Sequence, residues 1–160
     1  TGLTQYFKNR LQTCQNKVIR FVLNLDSRSH ISREHFIDLG WLPVSQRVDQ
    51  IMLCQIHKIR YGSAPEYLCE YFRPLTSVHE LNTRSNKVAR LDPDGFGYSF
   101  ATTGKFSLNK IRSFGEKTFT NQGIKAWNSL PQSLRDIQGQ NHFKQKLKKH
   151  MLSLVIFISV

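Results

Sequence analysis

The sequence predicts a mainly α chain with a small β-hairpin or meander, an α+β arrangement whose helices pack bundle-like around a central helix. Three observations carry that expectation. Apolar residues recur at three and four positions over several long stretches, glycine or proline stands at most of their ends, and one short stretch around Asp92-Pro93-Asp94-Gly95 turns to period-two alternation. At 160 residues, with 39 % hydrophobic and 21 % charged side chains, the chain has the length for one domain or two very small ones and the composition for a packed core.

Residues 3–25 read as one amphipathic helix. Leu3, Phe7, Leu11, Cys14, Val18, Val22 and Leu25 form a stripe, and Lys8, Arg10, Lys17 and Arg20 fall largely off it. Ser32 is the expected N-cap of a short helix that ends at Gly40 and buries Phe36, Ile37 and Leu39. Trp41-Leu42-Pro43-Val44 is a tight connection in which the missing N–H of Pro43 costs nothing. A second long helix spans roughly 44–61 and ends at Gly62. Its broad apolar set (Val48, Ile51, Met52, Leu53, Ile56, Ile59) suits contact on more than one side, which makes it the expected central helix. Pro65 opens a short helix with Tyr67, Leu68, Tyr71 and Phe72, and Pro74 closes it.

Residues 75–86 are polar and read as a surface loop. The segments 87–91, 98–102 and 105–111 flank the Asp-Pro-Asp-Gly turn, where proline presets one backbone angle and glycine accepts positive φ. Helix returns at about 115–129 with Phe119, Ile124 and Trp127, and Pro131 closes it. After a short Gln-Ser-Leu-Arg-Asp-Ile turn the last helix starts near 141, with Phe143, Leu147 and Leu154 inward. The expected organisation is a helical subdomain at 1–72, a basic hairpin-plus-helix subdomain at 73–150 and an apolar tail at 151–160. That tail is ten residues, against roughly 20 needed to span a bilayer, so it reads as a helix end or trailing sequence and no membrane partner is expected.

Charge is the strongest bulk signal. Lys and Arg number 23 against 11 Asp and Glu, a net +12, which points to a polyanion as partner. Residues 1–72 hold nine basic and six acidic side chains, whereas 73–160 hold 14 and five, so the second half is the expected electrostatic footprint. The residues expected to meet phosphates are Lys105, Lys110, Arg112, Lys117, Lys125, Lys144, Lys146, Lys148 and Lys149, with Arg84, Lys87 and Arg90 secondary. Three cysteines (Cys14, Cys54, Cys69), an odd count without paired spacing, suit a reducing compartment, and an intracellular location in nucleus or cytoplasm is expected. The chain starts at Thr1, which reads as a processed chain or a fragment.

Catalytic motifs fail one by one. Gly104-Lys105 is followed by Phe106 where a phosphate-binding loop needs Ser or Thr, and Ser99 stands where its first glycine belongs. Gly95-Phe96-Gly97 lacks the third glycine of a dinucleotide fingerprint, because Phe100 occupies that place. Cys54, His57, Cys69 and His79 are zinc-ligand types but not in knuckle spacing, and Asp92 and Asp94 suit the turn better than metal binding. The chain contains no adjacent Asp pair of the kind a two-metal polymerase uses. No cofactor, metal or catalytic residue is expected. Trp41 and Trp127, each beside a helix-limiting proline, read as core anchors, with base stacking the alternative.

Five segments in series resemble the region that follows the polymerase core in LINE-type (non-LTR) retrotransposon reverse transcriptases. They are Leu11 to Leu23 (LQTCQNKVIRFVL), His30 to Val48 with Trp41-Leu42-Pro43-Val44 and Arg47, Lys58 to Phe72 with the Gly-x-Ala-Pro-x-Tyr-Leu pattern, Asn82-Thr83-Arg84-Ser85, and Phe114 to Arg135 with Trp-Asn-x-Leu-Pro. Phe143-Lys144 and Leu147-Lys148 follow, and the resemblance covers about residues 8–150. It implies a non-catalytic fragment that holds RNA or DNA without sequence choice and that has the polymerase core of the same polyprotein as a possible partner. The alternatives are a structural or protein-interaction module working through the 3–25 helix, on the polymerase thumb or another chain, and a relic that only folds.

Overall fold

The structure is a computed structural model that describes residues 4–72, 87–91, 98–102, 105–106 and 118–154. Helices dominate the described residues: α1 (Gln5–Val22), α2 (Arg33–Asp38), α3 (Val44–Arg60), α4 (Glu66–Cys69), α5 (Phe119–Ser129), α6 (Gln132–Arg135) and α7 (Gln140–Ser153). Two strands, β1 (Lys87–Leu91) and β2 (Tyr98–Thr102), pair antiparallel with Lys87 opposite Thr102 and Leu91 opposite Tyr98. The Asp-Pro-Asp-Gly turn, the polar stretch 75–86 and most of 105–111 lie outside the described residues.

The helix ends follow from local chemistry. At the end of α1, Leu25 N–H donates to the Arg20 carbonyl (2.8 Å) and Asn24 N–H to the Phe21 carbonyl (3.3 Å), with Asn24 at φ 50°. That is the Schellman geometry, which needs a residue tolerant of the left-handed region. Gly40 (φ 58°) and Gly62 (φ 72°) do the same for α2 and α3. Both glycines stand where the sequence places helix ends. At the start of α2, Ser32 N–H donates to His35 Nδ1 (2.9 Å), the reciprocal half of a capping box. The exposed Glu34 carboxyl is held below its ordinary range, first by a hydrogen bond from the Ser32 side chain and then by its own backbone N–H at the positive helix start.

The chain divides into two compact units, residues 1–51 with 144–160, and residues 52–143. In the first, Ile19, Ile31 and Phe36 form a buried cluster against which Leu23, Leu25, Leu39 and Trp41 pack. Burial of side chains such as Ile19 and Phe36 contributes about 1.5–3 kcal/mol each before entropy is counted. The same unit buries Leu42, Gln50, Leu147 and Met151. Gln12 and Gln15 tie α1 to the Trp-Leu-Pro-Val connection. Gln15 Nε2 donates to the Leu42 carbonyl (2.9 Å), and Val44 N–H donates to Gln12 Oε1 (2.9 Å). The two bonds satisfy backbone groups on either side of Pro43, including an N–H of the first turn of α3 that has no intrahelical partner.

The second unit has an aromatic core. Trp127, Phe143, Phe106 and Phe72 are buried together with Met52, Leu53, Ile56, Ile59, Ile124, Leu130 and Leu134. Phe143 stacks on His57 at 4.3 Å, Trp127 lies 5.7 Å from Phe143, and Phe72 meets Phe106 edge-on at 5.6 Å. Gly123 lets α5 approach α3, since a Cβ there would stand 2.5 Å from Ile56 Cδ1.

Three expected burials are corrected. Ile37 is exposed because α2 buries one narrow face, Phe36 inward and Ile37 one position round. Ile51 is exposed on α3, where Met52, Leu53, Ile56 and Ile59 fill the buried positions. Leu154 lies just past the last turn of α7 and is exposed; Met151 takes the inward place after Phe143 and Leu147.

Candidate functional site

Helix α7 carries the clearest concentration of charge. Its sequence, QNHFKQKLKKHMLS, holds four lysines and two histidines and no acidic residue. Its apolar positions Phe143, Leu147 and Met151 recur every four residues and are buried. The remaining arc is therefore outward, and Lys144, Lys146 and Lys149 are exposed on it. Lys148 is half-buried. Its Nζ lies 3.9 Å from where a Cβ of Gly40 would stand, at the C-terminal end of α2, where helix carbonyls favour a cation.

Within the first unit, side chains hold α7 in place from beneath. Gln50 is buried, donates from Nε2 to the Lys144 carbonyl (3.3 Å) and accepts from Arg47 Nη1 at its Oε1 (2.5 Å). Arg33 Nη2 reaches the Leu152 and Ser153 carbonyls (3.4 and 3.1 Å), placing a guanidinium at the negative end of the helix. The lysines thus stand on a helix fixed near its start and at its end.

The other expected phosphate contacts fall on other elements or outside the described residues. Lys125 is exposed on α5, in the second unit, and Lys105 is half-buried beside Phe106. Lys110, Arg112, Lys117 and Arg84 lie outside the described residues; Lys87 and Arg90 fall on β1 by backbone alone.

Two of the zinc-ligand types, His57 and Cys69, have structural partners. His57 is buried, and its Nε2–H donates to the Ile137 carbonyl (2.7 Å). Burial holds its pKa below the ordinary histidine value, opposed in part by that bond, so the ring sits neutral in the core. Cys69 Sγ points to the Pro65 and Ile59 carbonyls (3.7 and 3.9 Å). His79, Asp92 and Asp94 lie outside the described residues. Among the described residues no group of three or more His, Cys, Asp or Glu side chains converges as a metal site would require. Trp127 is fully buried and Trp41 packs on the Ile19 cluster, so the stacking alternative fails for Trp127: no base reaches its face.

A second surface feature belongs to α1. The predicted stripe exists but does not fill the core of its unit. Phe7, Leu11, Val18 and Val22 are exposed, as are Tyr6 and Phe21, with exposures from 46 % at Val18 to 86 % at Phe21. The inward side is instead Gln12, Gln15, Asn16, Ile19 and Leu23, half-buried or buried.

Sequence reasoning passed over several residues that organise these surfaces. Gln12 and Gln15 were visible only as letters of a motif, yet they clamp the connection into α3. Asn128 imitates a strand edge: its Oδ1 accepts from Phe106 N–H (3.0 Å) and its Nδ2 donates to the Phe106 carbonyl (2.9 Å). Arg135 is buried and donates through Nη1 to the Leu130 and Asn128 carbonyls, while its own carbonyl accepts from Tyr61 Oη (2.7 Å). The available signal was polar residues inside otherwise apolar, helix-limiting segments. Among the described residues no helix is long and apolar enough to cross a membrane. No protein-family model, no curated protein and no solved structure matches this chain.

Proposed function

We propose that this chain is a non-catalytic module that grips the backbone of RNA or DNA, sequence-independently, through the basic arc of α7. The observation that carries the reading is the exposed set Lys144, Lys146 and Lys149 on a helix with no acidic residue, in a chain of net +12. Lysines on such a helix meet phosphates by charge, which gives affinity without sequence choice. The LINE-type resemblance supports the same reading, as a fragment from beyond a reverse-transcriptase core, near which a nucleic acid must be held. In this reading β1 and β2 form a small hairpin, and the exposed Lys125 on α5 is a further phosphate contact within the second unit. An intracellular location in nucleus or cytoplasm belongs to the same reading and rests on the odd, unpaired cysteine count.

The test is K144Q/K146Q/K149Q in the full chain. All three side chains are exposed, so helicity and unfolding midpoint should be unchanged. Affinity for a single-stranded RNA at about 50 mM salt should fall by about tenfold or more. Unchanged affinity contradicts the proposal.

A second reading, a protein-interaction module, is favoured by one observation, the exposed apolar face of α1.

A further inference from the structure

The outer face of α1 has a spacing of its own. Phe7, Leu11, Cys14, Val18 and Phe21 are separated by four, three, four and three residues, and all five are exposed. That is the heptad seam by which one helix accepts knobs from another. At 1.5 Å per residue, the 18 residues of α1 make a rod of about 27 Å, the length of a helical partner and not of a loop. Its opposite side is already occupied, since Gln12 and Gln15 bind the Leu42 and Val44 backbone and Ile19 is buried in the unit's own core.

The charges that edge the seam restrict what covers it. Helical geometry places Arg10 and Lys17 beside Phe21 and Cys14 on one border, while the half-buried Lys8 turns toward the inward side, where its charge acts on Asp49. Between Gln5 and Val22 there is no aspartate or glutamate at all. Arg10 is further presented by its guanidinium lying 5.8 Å over the exposed Tyr6 ring. A second copy of the chain would set two such helices together, each with four cations and no anion. Opposite charges at the borders favour pairing and like charges oppose it, so the seam suits a helix bordered by carboxylates.

We propose that the outer face of α1 docks an amphipathic helix of a partner protein, one whose apolar seam is bordered by aspartate or glutamate. This rests on the protein-interaction reading and adds the chemistry of the partner. Cys14 lies in the middle of the seam and reports its coverage, because the other two cysteines are half-buried.

The experiment uses the full chain and two labelled helical peptides of about three heptads. Both have the same leucine seam; one carries Glu at the border positions, the other Lys. The Glu peptide should bind about tenfold or more tightly than the Lys peptide at about 50 mM salt, and the gap should narrow at high salt. With Cys54→Ser and Cys69→Ser in place, the Glu peptide should slow alkylation of Cys14. Leu11→Glu with Val18→Glu should abolish binding. Arg10→Glu with Lys17→Glu, which leaves the apolar face untouched, should invert the preference between the peptides. Equal binding of the two peptides would overturn the acidic border while leaving the interaction reading intact. Binding of neither would overturn both. Preference for vesicles of anionic phospholipid over the Glu peptide, or self-association lost in Leu11→Glu, would replace the helix by a bilayer or a second copy.

Discussion

His57 shows how one residue type serves two chemistries and why surroundings decide between them. Its Nε2–H is committed to the Ile137 carbonyl, and its ring lies against Phe143 and Tyr61, at 4.3 and 4.7 Å between ring centroids. Burial lowers its folded pKa below the ordinary value of 6.5, so the unfolded chain binds the proton more readily. The contribution of His57 to stability is therefore complete above pH 6.5 and is lost as pH falls below it toward the folded pKa. Unfolding midpoints measured from about pH 8 to pH 5 should decline over the acidic part of that range, and His57→Gln should flatten the decline. Asn128 carries a different load. Its two bonds to Phe106 make the side chain a backbone substitute, so Asn128→Ala should cost about 1–3 kcal/mol by urea unfolding. Asn128→Asp keeps the acceptor but sets a carboxylate oxygen against the Phe106 carbonyl, and should cost at least as much as Asn128→Ala.

At the scale of elements, two contacts decide how helices meet. Gln12 and Gln15 hold the α3 entry, and removing both should cost about 1–3 kcal/mol without changing the urea dependence of unfolding. Gly123→Ala should cost about 1–3 kcal/mol because the added methyl meets Ile56 in a closed core. Adding Ile56→Val should recover part of that loss, which a double-mutant cycle measures. These elements also mark what the residues disclosed. The ends at Gly40 and Gly62 were legible because positive φ has a residue signature. The stripe on α1 was legible as a pattern, but not its direction. Periodicity reports that one face is apolar, and it is silent on whether the chain itself or a partner covers that face. Gln12 and Gln15 won the inward side through bonds to the backbone of residues 42 and 44, and Ile19 through packing in the cluster with Ile31 and Phe36, contacts that no local pattern encodes.

Over the whole molecule, the clustering of 144–160 with 1–51 was the least legible feature, since it joins segments far apart in sequence by Gln50 and Arg33 reaching α7 carbonyls. The candidate footprint was legible in part. Charge counting found the α7 lysines, whereas it gave equal weight to Lys105, which is half-buried, and to Lys148, which leans on the end of α2.

On the function proposed above, the exposed lysines of α7 release counterions from a nucleic-acid backbone. The direct measurement is the dependence of log affinity on log salt for single-stranded RNA, made on the full chain and on K144Q/K146Q/K149Q. Each lost phosphate contact should make the slope shallower by about 0.7, so the variant should lie about 2 above the parent. Parallel lines, or a parent that binds with no salt dependence, would contradict it.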